Sequence, residues 1–210
     1  MYTMKRIAVD IDEVLTPMVH TMMKWRSPRI PPGKRYPYLF RNIWSISEKE
    51  SQKMLREFYD SKEFAELPVL EYSREAMKIL KDRGSELYIL TGRQHVVREK
   101  TQSWIEENFP GVFRDVILTN SFTPMEVTKA DFCKTLALDT IIDDNYEVCL
   151  DCLSSRTRAL NFIGDPMYPW CYETMISVKS WRQFCDTLPE TPETFSELNA
   201  KTFDCLDFPI

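Results

Sequence analysis

The segment Ile7-Ala8-Val9-Asp10-Ile11-Asp12-Glu13-Val14-Leu15-Thr16 ends a short apolar run on two carboxylates, Asp10 and Asp12. In a strand, residues i and i+2 project to the same face, so both acids reach one place where the strand runs out. Like charges that close repel unless a cation lies between them. The pattern predicts a strand feeding a site for a hard divalent cation, Mg²⁺ above all, and chemistry on a group that brings its own negative charge.

Further apolar runs follow at Leu87–Leu90, Val116–Leu118, Ile141–Ile142 and Ala159–Ile163, each too continuous for a half-exposed antiparallel strand. Amphipathic stretches separate them. One opens at Ser73, carries Ala76, Met77, Ile79 and Leu80, and stops before Gly84; a second holds Val97, Thr101, Trp104, Ile105 and Phe109 ahead of Pro110. A third starts at Thr128 with Phe132, Leu136 and Leu138. Alternation of this kind predicts an α/β fold, a Rossmann-like parallel sheet wound by helices. Roughly seventy residues separate the first two strands where a crossover needs about thirty, so something is inserted. Met18 to Trp25 reads as one helix of the insertion, and Ser47-Glu48-Lys49-Glu50 is a capping box opening another with Met54, Leu55, Phe58 and Tyr59. Residues 26–46, with four prolines, read as an irregular link between them. The division is a core of residues 1–16 and 70–187, a small helical cap of residues 17–69, and a C-terminal tail of residues 188–210.

A chain of 210 residues with 43% hydrophobic and 28% charged residues has the balance of one globular domain carrying an insertion. A net charge of −5 argues against a general nucleic-acid binder, which needs a basic footprint to displace counterions, while small anionic substrates remain compatible with a locally positive site. No apolar run reaches the length of a membrane span, and a first strand near residue 5 leaves no room for a signal peptide, so the expected compartment is the cytoplasm or the nucleus. Six cysteines without a secretory signal read as reduced thiols. Cys149 and Cys152 form a CxxC that is either half of a zinc site or two small apolar side chains one helical turn apart.

The residues fit for chemistry all fall at the carboxyl ends of predicted strands, where open parallel sheets bind ligands. Asp10 and Asp12 follow the first, Thr91-Gly92-Arg93 the second, and Asp143-Asp144 the fourth, with Lys129 at a helix start 14 residues before Asp143. In this order they resemble the four signatures of the haloacid dehalogenase superfamily phosphohydrolases. The inserted helices, the segment Leu39-Phe40-Arg41-Asn42-Ile43-Trp44-Ser45-Ile46-Ser47, the run Phe64-Ala65-Glu66-Leu67-Pro68 and the Ile141-Ile142-Asp143-Asp144 ending resemble the 5'(3')-deoxyribonucleotidase-like branch. Two positions depart from it: Glu13 stands where the common pattern has glycine, and Gly92-Arg93 where animal deoxyribonucleotidases have Ser-Pro.

The resemblance implies a Mg²⁺-dependent phosphomonoesterase for a small phosphate ester, a nucleoside or deoxynucleoside 5'-monophosphate first among them. It implies Asp10 as nucleophile forming an aspartyl-phosphate, Asp12 as acid and base, Thr91 as a hydrogen-bond donor to the phosphoryl group and Lys129 as fixed positive charge. The metal shell would draw on the Asp10 carboxylate, the Asp12 backbone carbonyl, and Asp143 or Asp144. Charge counting agrees: four carboxylates and one lysine leave −3, which repels a phosphate dianion unless a divalent cation is added.

Bland readings stand beside these. Asp-x-Asp alone marks a turn, Thr91 or Asp143-Asp144-Asn145 can cap a helix, and a lone Lys129 can be solvated surface. Arg93 is either a phosphate contact, with Gly92 beside it, or a surface ion pair. Arg26, Arg29, Lys34, Arg35 and Arg41 alternate with Tyr36, Tyr38, Phe40 and Trp44, a mixture fit either to hold a phosphate and stack on a base, with Arg41 and Trp44 foremost, or to fix the cap to the core. His20 and His95 belong to structure or solvent. Rival readings keep the chemistry with another small ester or a nucleic-acid end, or keep the fold as a scaffold without turnover.

Overall fold

The expected alternation of strand and helix is present. A computed structural model of the chain describes residues 5–26, 38–164, 170–174 and 177–187. Among these, the strands β1 (Arg6–Val9), β2 (Glu86–Thr91), β3 (Phe113–Leu118), β4 (Thr140–Asp143), β5 (Arg158–Phe162) and β6 (Ser177–Val178) form one sheet in the order β3-β2-β1-β4-β5-β6. Every neighbouring pair is parallel. The chain winds outward from β1 in both directions, so the crevice beyond the carboxyl ends of β1 and β4 is the switch point at which such sheets take ligands.

Period-2 alternation sorts the strands' side chains into two layers. Ile7, Val9, Leu87 and Ile89 join one apolar cluster, while Ala8, Leu90, Ile141 and Ala159 join another. The second layer is closed by α7 (Lys129–Thr135) and α8 (Tyr146–Ser154), and it contains Cys133, Cys149 and Cys152, each without exposed surface. The CxxC is therefore two small buried side chains on one face of α8, and the potential ligand group found among the described residues contains no cysteine.

The first layer takes up the insertion. Helices α1 (Met18–Arg26), α2 (Phe40–Ile43), α3 (Glu48–Tyr59) and α4 (Lys62–Ala65) lie between β1 and α5 (Ser73–Asp82). Ser47 caps α3 as the capping box requires: its hydroxyl accepts from Glu50 N at 3.3 Å and Glu50 Oε2 accepts from Ser47 N at 2.9 Å. The buried stripe of Met54, Leu55, Phe58 and Tyr59 packs in one continuous cluster with Ile7, Val9 and Ile89, so the cap shares its core with the sheet.

Several bounds differ from expectation. The link read as irregular contains the short helix α2, and residues 27–37 of it lie outside the described residues, as does the tail from residue 188. Helix α7 stops at Thr135, short of Leu136 and Leu138, because Ala137 turns left-handed (φ +50°) and Leu138 N bonds the Cys133 carbonyl at 2.8 Å, a helix-ending loop made without glycine. Strand β6 has two residues and no apolar run, which leaves it without a sequence signal. Helices α6 (Arg98–Asn108) and α9 (Trp181–Thr187) complete the layers.

Candidate active site

Beyond β1 the chain keeps its pairing for one residue, since Asp10 N donates to the Ile142 carbonyl of β4 at 2.9 Å. It then closes a single helical turn in which Val14, Leu15 and Thr16 N–H groups all point at the Ile11 carbonyl, at 3.2, 2.7 and 3.1 Å. This turn directs Asp10 and Asp12 into one cavity of about 190 Å³. Glu13 sits in the turn with φ +63°, the region glycine tolerates best, and its carboxylate accepts from Val19 N at the start of α1 at 2.6 Å.

Lys129 reaches the same cavity as the first residue of α7, a position set by the Thr128 cap. Its Nζ lies 2.9 Å from Asp10 Oδ2 and 2.6 Å from Asp143 Oδ2, bridging β1 and β4. Burial pushes the ammonium toward neutrality, but the two carboxylates outweigh it and hold its pKa above the ordinary lysine value. Burial first, then Asp143 and Asp12, push the Asp10 carboxyl up to about 7, against the pull of Lys129. Asp144 is driven well above the usual carboxylate range by burial, followed by the charges of Asp143 and Asp10.

Carboxylate oxygens of Asp10, Asp143 and Asp144 lie within 4.8 Å of one another. Asp10 Oδ1 is buried with no hydrogen-bond partner. Asp143 has both oxygens engaged, Oδ2 by Lys129 and Oδ1 by Asn145 N at 3.0 Å, whereas Asp144 Oδ2 accepts from Trp170 Nε1 at 3.0 Å. An orphaned oxygen amid three hard acids fits a hard divalent cation. Asn145 caps α8 through Glu147 N at 3.0 Å, so the Asp143-Asp144-Asn145 segment both caps a helix and lines the cavity.

The second signature splits in two. Thr91 has no exposed surface and its Oγ1 accepts from Arg93 N at 3.3 Å. Gly92 and Arg93 line the cavity. Arg93 is neither on the surface nor free: its guanidinium grips the Asp12 carboxylate, with Nη2 2.7 Å from Oδ1. The surface ion pair is thus corrected to a buried one, a partner that sequence spacing cannot show across 81 residues.

Arg41 and Trp44 are not among the residues lining the cavity. Arg41 is drawn to Glu48 across the α2–α3 turn at 2.8 Å, and Trp44 packs on Phe40 with ring centroids 5.8 Å apart. From the same stretch Phe40 and Tyr38 line it instead, and the Tyr38 hydroxyl is buried without a partner. Arg29, Lys34, Arg35 and Tyr36 lie outside the described residues. His95 is structural, its Nε2 3.2 Å from the Leu118 carbonyl, and His20 is exposed. Sequence reasoning missed Tyr59, Ser121 and Phe122 in the lining. Phe122, 48% exposed at φ +64°, was detectable only as an aromatic in a loop. Trp170, the partner of Asp144, stands in a segment with no pattern at all.

No helix among the described residues is long and apolar enough to cross a membrane. Comparison with known proteins matches residues 4–145 to the family model of the 5' nucleotidase, deoxy (pyrimidine), cytosolic type C protein. The chain is 26% identical over 144 residues to the "Putative nucleotidase OB0422" of Oceanobacillus iheyensis, covering 68% of this chain and 73% of that one. Similar solved structures include a predicted phosphatase from Clostridium acetobutylicum, with TM-score 0.64, 15% identity, and coverage of 93% of this chain and 100% of that one. The haloacid dehalogenase-like hydrolase SP0104 from Streptococcus pneumoniae has TM-score 0.58 at 17% identity, covering 94% and 100%. A family hydrolase from Deinococcus radiodurans, solved with bound phosphate and sodium, has TM-score 0.59 at 10% identity, covering 96% of each chain. At these identities the structural likeness concerns the fold, while the family model spans the Asp10, Thr91, Lys129 and Asp143 segments together. The chain therefore belongs to the cytosolic type C 5'-deoxynucleotidase family and is a phosphatase of the haloacid dehalogenase type.

Proposed function

We propose that the protein is a Mg²⁺-dependent phosphomonoesterase that works through an aspartyl-phosphate on Asp10, with a nucleoside or deoxynucleoside 5'-monophosphate as substrate. The observation that carries this reading is Lys129 held between Asp10 and Asp143 beside an unpartnered Asp10 oxygen. A cation fixed there lowers the cost of bringing a dianionic phosphate against a carboxylate nucleophile.

The metal would be held by Asp10, by Asp144 and by the Asp12 backbone carbonyl, with Asp143 tied to Lys129. When bound, it supplies positive charge that offsets the four acids and polarises the phosphoryl group. An Asp10 oxygen forms a bond to phosphorus as the ester P–O bond breaks, and Asp12 gives its proton to the departing oxygen. Water then attacks phosphorus, passes a proton to the Asp12 carboxylate, and the Asp10–phosphoryl bond breaks to free phosphate. Thr91 Oγ1, which accepts from Arg93 N, keeps its own proton to donate to a phosphoryl oxygen. Tyr38, Phe40, Tyr59 and Phe122 are among the residues lining the cavity, and aromatic rings suit a flat nucleobase. The family description and the nucleotidase relative support the substrate class.

The test is release of inorganic phosphate from a panel of ribo- and deoxyribonucleotides and sugar phosphates, with and without Mg²⁺. Turnover of 5'-monophosphates that requires the metal and falls at least about 10³-fold in Asp10→Asn is expected. Unchanged turnover in Asp10→Asn sinks the mechanism, and preference for sugar phosphates sinks the substrate.

A further inference from the structure

We propose that Arg93 is the positioning residue for proton transfer, orienting the Asp12 carboxylate toward the departing oxygen and coupling it to the inserted helices. This rests on the acid–base role given to Asp12 above. The sequence leaves Arg93 between a phosphate contact and a surface ion pair; the geometry pairs its cation with Asp12 inside the protein.

The grip is unequal on the two oxygens. Asp12 Oδ1 accepts from Nη2 at 2.7 Å, while the single Nε–H is shared between Oδ2 at 3.1 Å and Oδ1 at 3.2 Å. A carboxylate oxygen has two lone-pair directions, so Oδ2, which has only a share of one N–H, retains room for a proton. A guanidinium holding a carboxylate through more than one N–H fixes its plane as well as its position, which a lysine's point charge cannot do. The plane matters because proton transfer to a departing oxygen needs donor and acceptor aligned at hydrogen-bond distance.

Arg93 is itself fixed on every side. Its N–H donates to Thr91 Oγ1 at 3.3 Å and its carbonyl accepts from Asn120 N at 3.3 Å, which ties its backbone to β2 and to the loop after β3. Nη1 donates to the buried Thr101 hydroxyl on α6 at 3.3 Å. The guanidinium carbon lies 4.9 Å from the centre of the Phe64 ring, on α4 of the insertion. Only 2% of the Arg93 side chain and 12% of the Asp12 side chain is exposed. An arginine so enclosed has Nε, Nη1 and Nη2 each engaged, by the acid or by its frame. A merely structural ion pair has no need to end on one of the four aspartates that line the cavity.

Leaving-group dependence separates positioning from phosphate binding. The ratio kcat/KM reports steps up to departure of the leaving group. A 4-nitrophenolate leaves without a proton, whereas a nucleoside alkoxide requires one. In Arg93→Lys and Arg93→Ala, kcat/KM for a nucleoside 5'-monophosphate should fall roughly 10²-fold or more, and for 4-nitrophenyl phosphate less than about 10-fold. Asp12→Ala should show the same selectivity, and Arg93→Ala added to it should cost little more, because the two residues act as one unit. Phe64→Leu, which leaves the ion pair in place, should give the same pattern a few-fold weaker, and it reports even where Arg93→Ala fails to fold. Equal losses on both esters, or losses that multiply in the double variant, overturn the proposal and make Arg93 a phosphate contact. Full turnover by Asp10→Asn would instead overturn the parent mechanism, so the two failures are distinguishable.

Discussion

Glu13 shows how one side chain settles a conflict between backbone and packing. Its φ of +63° costs an L-residue about 1–2 kcal/mol, which a glycine would not incur. Its buried carboxylate, however, accepts from Val19 N at 2.6 Å at the start of α1, and hydrogen bonds to charged groups contribute about 1.5–3 kcal/mol. The second effect is larger, so Glu13→Gly is expected to lower stability by about 1 kcal/mol, read as a lower urea midpoint at unchanged slope. Glu13→Gln, which keeps an acceptor, should lose less. A more stable glycine variant would show that strain outweighs the cap. The departure from glycine was visible in the sequence, but its compensation was not, because Val19 lies six residues away on a helix whose start no cap residue advertises.

At the scale of elements, the strands and main helices were legible because continuous apolar runs and helical spacing are local properties. The positions of Lys129 and Asp143 in the cavity were legible for a related reason, each being placed by the end of an element rather than by a distant partner, whereas Thr91, at the end of β2, is not among the residues that line it. Legibility failed where tertiary contacts decide. The two-residue β6 exists only through β5, α7 ends on a left-handed alanine, and the Arg93–Asp12 pair joins segments far apart in sequence. Glu86 is another such junction, at the amino end of β2. It accepts from the Tyr88 hydroxyl at 2.8 Å, pairs with Arg114 of β3, and lies 3.4 Å from Arg6 of β1. The Tyr88 hydrogen bond first, then the Arg114 and Arg6 charges, hold its carboxyl below the ordinary glutamate value. A depressed carboxylate contributes stability above its unfolded pKa, and that contribution disappears as pH falls through the folded value. Glu86→Gln should therefore narrow the gap in urea midpoint between neutral pH and about pH 3. An unchanged gap would show the junction to be solvent-screened.

For the whole molecule, acids gathered at the sheet's centre make cation binding a folding matter. Asp10, Asp143 and Asp144 converge only in the native state, so a divalent cation that binds there stabilises by mass action, about 2.7 kcal/mol at a concentration one hundred times its Kd. Saturating Mg²⁺ is expected to raise Tm and excess chelator to return it, with the rise much reduced in Asp144→Ala. The same rise in that variant would place the cation elsewhere.

Every strand of the sheet is held in place, directly or through a neighbour, by β1, which β2 and β4 flank on either side. Ile7, Ala8 and Val9 of β1 are buried, so their amides should exchange only when the sheet opens, and local fraying at the periphery should leave the nucleophile's backbone undisturbed. Damage far from the cavity should accordingly lower the amount of working protein long before it alters how each surviving copy reacts.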